Sequence, residues 1–158
     1  HAEGEAESRC AGCRHSAPHP GVRSLNLRDL LLVASGGAAG SVLRYLVSGF
    51  AQRALVPGSG ALATFPAGTL VVNVTGSLLI GLLAGLAESR SLLGPEARLL
   101  LVTGLLGGYT TFSAFSLETL VLLRAGQMAT ALATVTLQVL LGVAAAWAGF
   151  ALATGRPA

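Results

Sequence analysis

The sequence predicts an all-α membrane protein of four transmembrane helices, the third broken at its centre. Three observations carry that prediction. The 158 residues are 53% hydrophobic and 11% charged, whereas about 25% of a soluble domain is charged, and the mean hydropathy is +0.70. From Leu30 onward, long stretches hold almost no ionisable side chain. Finally, one apolar run carries Gly107-Gly-Tyr-Thr-Thr-Phe-Ser113 at its middle. Adjacent glycines loosen a helix, and the hydroxyls after them need partners that hydrocarbon cannot supply.

Residues 1–26 form a polar N-terminal arm with three Glu, three His and two Pro and no apolar periodicity, which reads as disordered. It has no initiating Met and no apolar core of a secretory signal. Both cysteines lie here, Cys10 and Cys13, followed by His15 and His19. That is the close spacing of half a zinc site, but no second ligand pair follows at the distance a zinc finger needs. Residues 27–158 make the membrane domain.

Each of four segments meets the roughly 20 apolar residues that a helix needs to cross a bilayer. The first runs from Leu27 to Phe50 and contains Gly36, Gly37 and Gly40. The second, Pro66 to Ala87, carries Gly81 and Gly85, and the fourth, Met128 to Ala153, carries Gly142, Ala146 and Gly149. Small residues at this spacing let helix backbones approach closely in lipid. Pro57, Gly58 and Gly60 interrupt the first connector, and Gly94-Pro95 ends the second and opens the third helix. The third segment, Pro95 to Leu123, is about 29 residues and would span about 43 Å as a straight helix. The hydrocarbon core is about 30 Å thick. Tilt absorbs part of the excess, and a non-helical break at the glycines absorbs the rest.

All ten basic residues are Arg. They are scattered, with no basic face and no interleaved aromatics, so a nucleic-acid partner is excluded. Arg53 and Arg124 fall on one side of the membrane, and Arg90, Arg98 and Arg156 on the other. This near balance gives almost no positive-inside bias and fits insertion in both orientations. Arg23 and Arg28 tip it toward a cytoplasmic N-terminus.

Polar side chains inside the segments mark function. Thr69, Asn73 and Ser77 lie at i, i+4, i+8 of the second segment, and Thr130, Thr134 and Gln138 repeat the pattern in the fourth. Two such stripes fit a hydrated path better than packing alone. The two amide donors of Asn73 suit an anion. Arg44, six residues before Phe50, either snorkels to the interface or raises the local anion concentration from a vestibule. Phe112 and Phe115 share a helical face amid Thr110, Thr111, Ser113, Ser116 and Glu118. Their electropositive ring edges can hold a small anion loosely enough for it to leave. The membrane region has no His or Cys, and Glu118 has no paired carboxylate, so acid–base catalysis has no support and the chain does not read as an enzyme.

Three strings carry a resemblance: Gly37-Ala-Ala-Gly-Ser-Val-Leu-Arg-Tyr45, Gly68-Thr-Leu-Val-Val-Asn-Val-Thr-Gly-Ser77 and Gly107-Gly-Tyr-Thr-Thr-Phe-Ser-Ala-Phe-Ser116. Together they resemble the Fluc/CrcB fluoride channel family, over about residues 28–153 and all four helices in order. The resemblance implies an antiparallel, dual-topology homodimer in the cell membrane, with two pores that let cytoplasmic fluoride leave down its electrochemical gradient. It implies Asn73 as an anion-coordinating amide and Phe112 and Phe115 as aromatic anion sites. Ser113 and Thr111 match the pore hydroxyls, Arg44 the vestibule arginine, and Thr69, Thr134 and Gln138 complete the anion pathway. Gln138 is bulkier than the serine expected there, and Tyr109 fills the motif's variable position. The carbonyls of Gly107 and Thr110 resemble the ligands of a structural sodium ion at the dimer centre. The alternative is a small dual-topology multidrug exporter, which needs a membrane carboxylate in its first helix; here only Asp29 stands at that helix's mouth.

Overall fold

The structure is a computed structural model and describes residues 26–56, 58–59, 63–90 and 93–155. The arm up to residue 25, with Cys10 and Cys13, lies outside the described residues, as do Pro57, Gly60 and Arg156.

Helix α1, Leu27–Leu55, runs five residues beyond the expected end at Phe50. The apolar run stops there, but nothing in Ala51-Gln-Arg-Ala-Leu55 breaks a helix. It ends where Val56, which precedes Pro57 in sequence, turns extended at φ −111°, ψ 110°. The extra turn has a use. Gln52 Nε2 donates to the Phe65 carbonyl at 3.0 Å, and its Oε1 accepts the Gly68 N–H at 3.0 Å. Gly68 lies in the first turn of α2, Ala67–Arg90, where N–H groups lack helical acceptors. Gln52 thus caps α2 from a neighbouring helix.

The third span, Pro95–Arg124, is built in pieces. Pro95 occupies the first turn of α3, Pro95–Arg98, after Gly94, a place where its missing N–H costs nothing. The chain continues as a π-helix, π1, Leu99–Leu106, and closes with one α-turn, α4, Gly107–Tyr109. Thr110 and Thr111 are extended, at φ −79°, ψ 157° and φ −151°, ψ 116°. Helix then resumes as α5, Phe112–Arg124, capped by Thr111 Oγ1, which accepts the Ala114 N–H at 3.2 Å. The break therefore falls on the two threonines and not on the glycines before them, which stay helical. Gly126, at φ 73°, ends α5. The Gly126 N–H donates to Leu123 O and the Gln127 N–H to Leu122 O, a Schellman close that sends α6, Met128–Thr154, back antiparallel.

Small residues set the packing. A Cβ at Gly81 would strike the Ala146 carbonyl, and one at Gly149 the Leu78 carbonyl, so α2 and α6 lie backbone to backbone. Gly36 and Gly40 likewise seat α1 on π1 and α4, and a Cβ on Gly108 would strike Gly37. Of the glycine doublet, Gly108 serves this contact, whereas a Cβ on Gly107 would come no nearer than 3.8 Å to the Val102 carbonyl. Gly81→Ala forces α2 from α6 against rigid backbone, and overpacking of this kind costs about 1–3 kcal/mol. We expect it to lower the melting temperature in detergent. Gly58→Ala, with nothing among the described residues within 4 Å of the new methyl, should leave it unchanged.

Among the described residues, four helices are long and apolar enough to cross a membrane. They turn large apolar side chains outward, among them Tyr45, Leu46, Phe50 and Leu152. The small core, Val72, Leu106 and Tyr109, gathers beside the break. The Tyr109 hydroxyl meets Thr75 Oγ1 at 2.9 Å, which ties α4 to α2.

Candidate functional site: the break and two flanking grooves

An extended residue inside a helical bundle leaves a peptide unpaired unless a side chain takes it up. Asn73, in the second turn of α2, does this for Thr111. Asn73 Oδ1 accepts the Thr111 N–H at 2.8 Å, and Asn73 Nδ2 donates to the Thr111 carbonyl at 3.0 Å. The amide thus pairs with Thr111 as a neighbouring strand would. Its second N–H reaches Gln138 Oε1 on α6 at 3.3 Å. One side chain therefore joins α2, the break and α6 in a single polar layer.

On one side of the layer lies an open groove of about 380 Å³, reached by Asn73, Ser77, Thr110, Thr111, Phe112, Phe115 and Gln138, with Ile80, Val102 and Leu106 as apolar walls. Among the described residues, no charged side chain lines it. The two rings stand 5.5 Å apart between centroids and 59° between planes. Tilted rings present edges as well as faces. Phe112 is 78% exposed.

A second groove of about 300 Å³ opens between α1, α2 and α5. Ser41, Arg44, Ser48, Thr69 and Glu118 line it, and Thr111 lines both grooves. Thr69 Oγ1 donates to Glu118 Oε1 at 2.7 Å. Arg44 forms no ion pair with Glu118; the ion pair among the described residues joins Arg28 to Glu96 at 2.6 Å, tying the start of α1 to α3.

Most of the expected site residues are thus brought together. Asn73, Thr111, Phe112, Phe115 and Gln138 meet at the first groove, and Arg44, Thr69 and Thr111 at the second. Two stand apart from both. Thr134 is 1% exposed, with its hydroxyl donating to Thr130 O on its own helix. Ser113 is exposed on α5, its hydroxyl 3.3 Å from that of Thr111. Glu118 and Gln52 were not among the expected site residues. Glu118 lies seven residues after Thr111, on the same helical face, and that spacing could have found it. The tie from Gln52 to α2 needs the folded chain.

The break also changes what two carbonyls can do. In an unbroken helix Gly107 O would accept from the Thr111 N–H and Thr110 O from the Ala114 N–H. Those donors go instead to Asn73 Oδ1 and Thr111 Oγ1. Gly107 and Thr110 thus lose their helical partners, and hard carbonyl oxygens released in this way suit a small cation.

A family profile described as CrcB-like protein, Camphor Resistance (CrcB), matches residues 31–150. The chain is similar to three bacterial proteins, each named Fluoride-specific ion channel FluC. The protein of Nitrobacter winogradskyi is 52% identical over 120 residues, covering 76% of this chain and 90% of the relative. That of Rhizobium meliloti is 49% identical over 126 residues, 80% and 96% of the two chains. That of Methylobacillus flagellatus is 46% identical over 124 residues, 78% and 93%.

Proposed function

The chain belongs to the CrcB family, as a multi-pass protein of the cell membrane and not an enzyme, and from that premise we propose that it is a fluoride-selective channel. Fluoride leaves passively, down its electrochemical gradient, through two pores in an antiparallel homodimer. The observation that carries this reading is the uncharged groove beside the break, where two ring edges, two amides and several hydroxyls meet inside an apolar span. Fluoride is small and strongly hydrated. A pore must replace its water with donors and positive edges, without a fixed charge that would trap it.

The second copy is supported by what a single chain leaves open. Gly107, Phe112 and Ser113 are exposed at mid-span beside the extended threonines. Lipid cannot satisfy irregular backbone; a partner helix can. The near balance of Arg across the membrane accommodates both orientations. In an antiparallel pair, the Gly107 and Thr110 carbonyls of both copies would surround one sodium ion, which would supply positive charge at the centre of the assembly. Thr69, Thr111, Gln138 and Arg44 act along the anion path from the two grooves; Ser113, exposed on α5, joins it where the second copy completes the pore, and Thr134, bonded to its own helix, backs the path without touching the anion. Arg44 draws anions into the second groove.

Bacteria deprived of their own fluoride exporters should regain growth in fluoride medium when they express this chain, and gain no tolerance to toxic quaternary ammonium compounds. Protection against the ammonium compounds alone would favour the exporter reading instead.

A further inference from the structure

The donors of Asn73 are already spent, and that passes its expected task to another residue. The Thr111 peptide can present its N–H only as a donor and its carbonyl only as an acceptor. Asn73 must therefore turn Oδ1 to the N–H and Nδ2 to the carbonyl, at 2.8 and 3.0 Å. The remaining N–H of Nδ2 points to α6, so Gln138 must answer with Oε1, at 3.3 Å. The backbone of the break thus fixes the orientation of both amides in turn.

The Gln138 Nε2 group then faces away from Asn73. It is buried and has no hydrogen-bond partner among the described residues; the residue is only 9% exposed and lines the groove with Phe115 and Ser77. A buried donor without an acceptor is costly to keep. Each bond along the line from Asn73 to Gln138 polarises the next, and the line ends in donors.

Building on the channel reading, we propose that Gln138 Nε2 is the amide that coordinates fluoride in this chain, and that Asn73 is a positioning residue that holds the break and aims Gln138. The anion sits in the first groove, between the Gln138 amide and the Phe115 ring edge.

The full chain, labelled with ¹⁵N at glutamine and asparagine side chains and held in lipid nanodiscs, tests this by NMR. The Gln138 resonance is assigned through its loss in Gln138→Met. Sodium fluoride should move the Gln138 NH2 resonance saturably, sodium chloride should not, and the Asn73 NH2 should stay hydrogen-bonded throughout. A fluoride response at Asn73 with none at Gln138 would overturn the proposal. In liposomes, Gln138→Met and Gln138→Glu should slow fluoride efflux about ten- to a hundredfold, the effect of one lost hydrogen bond to a charged group. Unchanged efflux in a folded variant would also overturn it. Should the unaltered chain pass no fluoride, the channel reading falls, while the resonances still decide whether Gln138 binds the anion.

Discussion

Phe112→Ile reduces fluoride efflux from liposomes to the level of protein-free vesicles, and the protein stays folded. Phe112 is 78% exposed in the single chain, so its truncation opens no core cavity, and the fold rests on other contacts. Isoleucine keeps an apolar side chain but removes the electropositive ring edge. It also removes the tilted pair with Phe115, which sets the direction of the second ring. An anion stripped of water then has no replacement for its shell at this point. Helix content by circular dichroism should match the unaltered protein, and fluoride release read with an ion-selective electrode should be at background. Normal release would remove Phe112 from the pathway.

Asn73→Asp should stop conduction by a different route. The aspartate matches asparagine in shape and can still accept the Thr111 N–H. It has no N–H for the Thr111 carbonyl, which now faces an oxygen. The orphaned carbonyl costs about 1–3 kcal/mol. Gln138 must also reverse, turning its donors toward the carboxylate and its carbonyl into the groove. A negative charge now stands beside the anion's path, where repulsion is strong because water is scarce. Efflux should fall to background, and the melting temperature should drop by several degrees, about what a loss of this size gives in a domain this small. Efflux at the normal rate would show that the polarity of this layer does not govern conduction.

Much of this is legible in the sequence. The four spans follow from apolar length, and the two polar stripes follow from four-residue spacing. Their meeting at the break follows once Asn73 and Gln138 are seen to face each other. The break itself was legible only as a need to absorb length. Its position depends on Asn73, in another helix, because Thr111 can leave the helical ladder only where a side chain replaces its peptide bonds. The glycine doublet misled for a related reason. Propensity treats Gly107-Gly108 as a weak point, but propensity does not include α1, whose Gly37 comes close enough to Gly108 to exclude a side chain. The π-helix Leu99–Leu106 and the last turn of α1 were hidden likewise. The first arises where α1 seats on π1, and the second ends in a tie from Gln52 to another helix. No periodicity names the ion, and fluoride rests on the motif strings and the relatives that share them.

Simultaneous electrode recording from liposomes loaded with both fluoride and chloride, and containing the purified chain, addresses selective conduction most directly. Selective conduction requires rapid release of fluoride after the membrane potential is relieved, with chloride retained until detergent is added. Release of both anions together, or of neither, would contradict it.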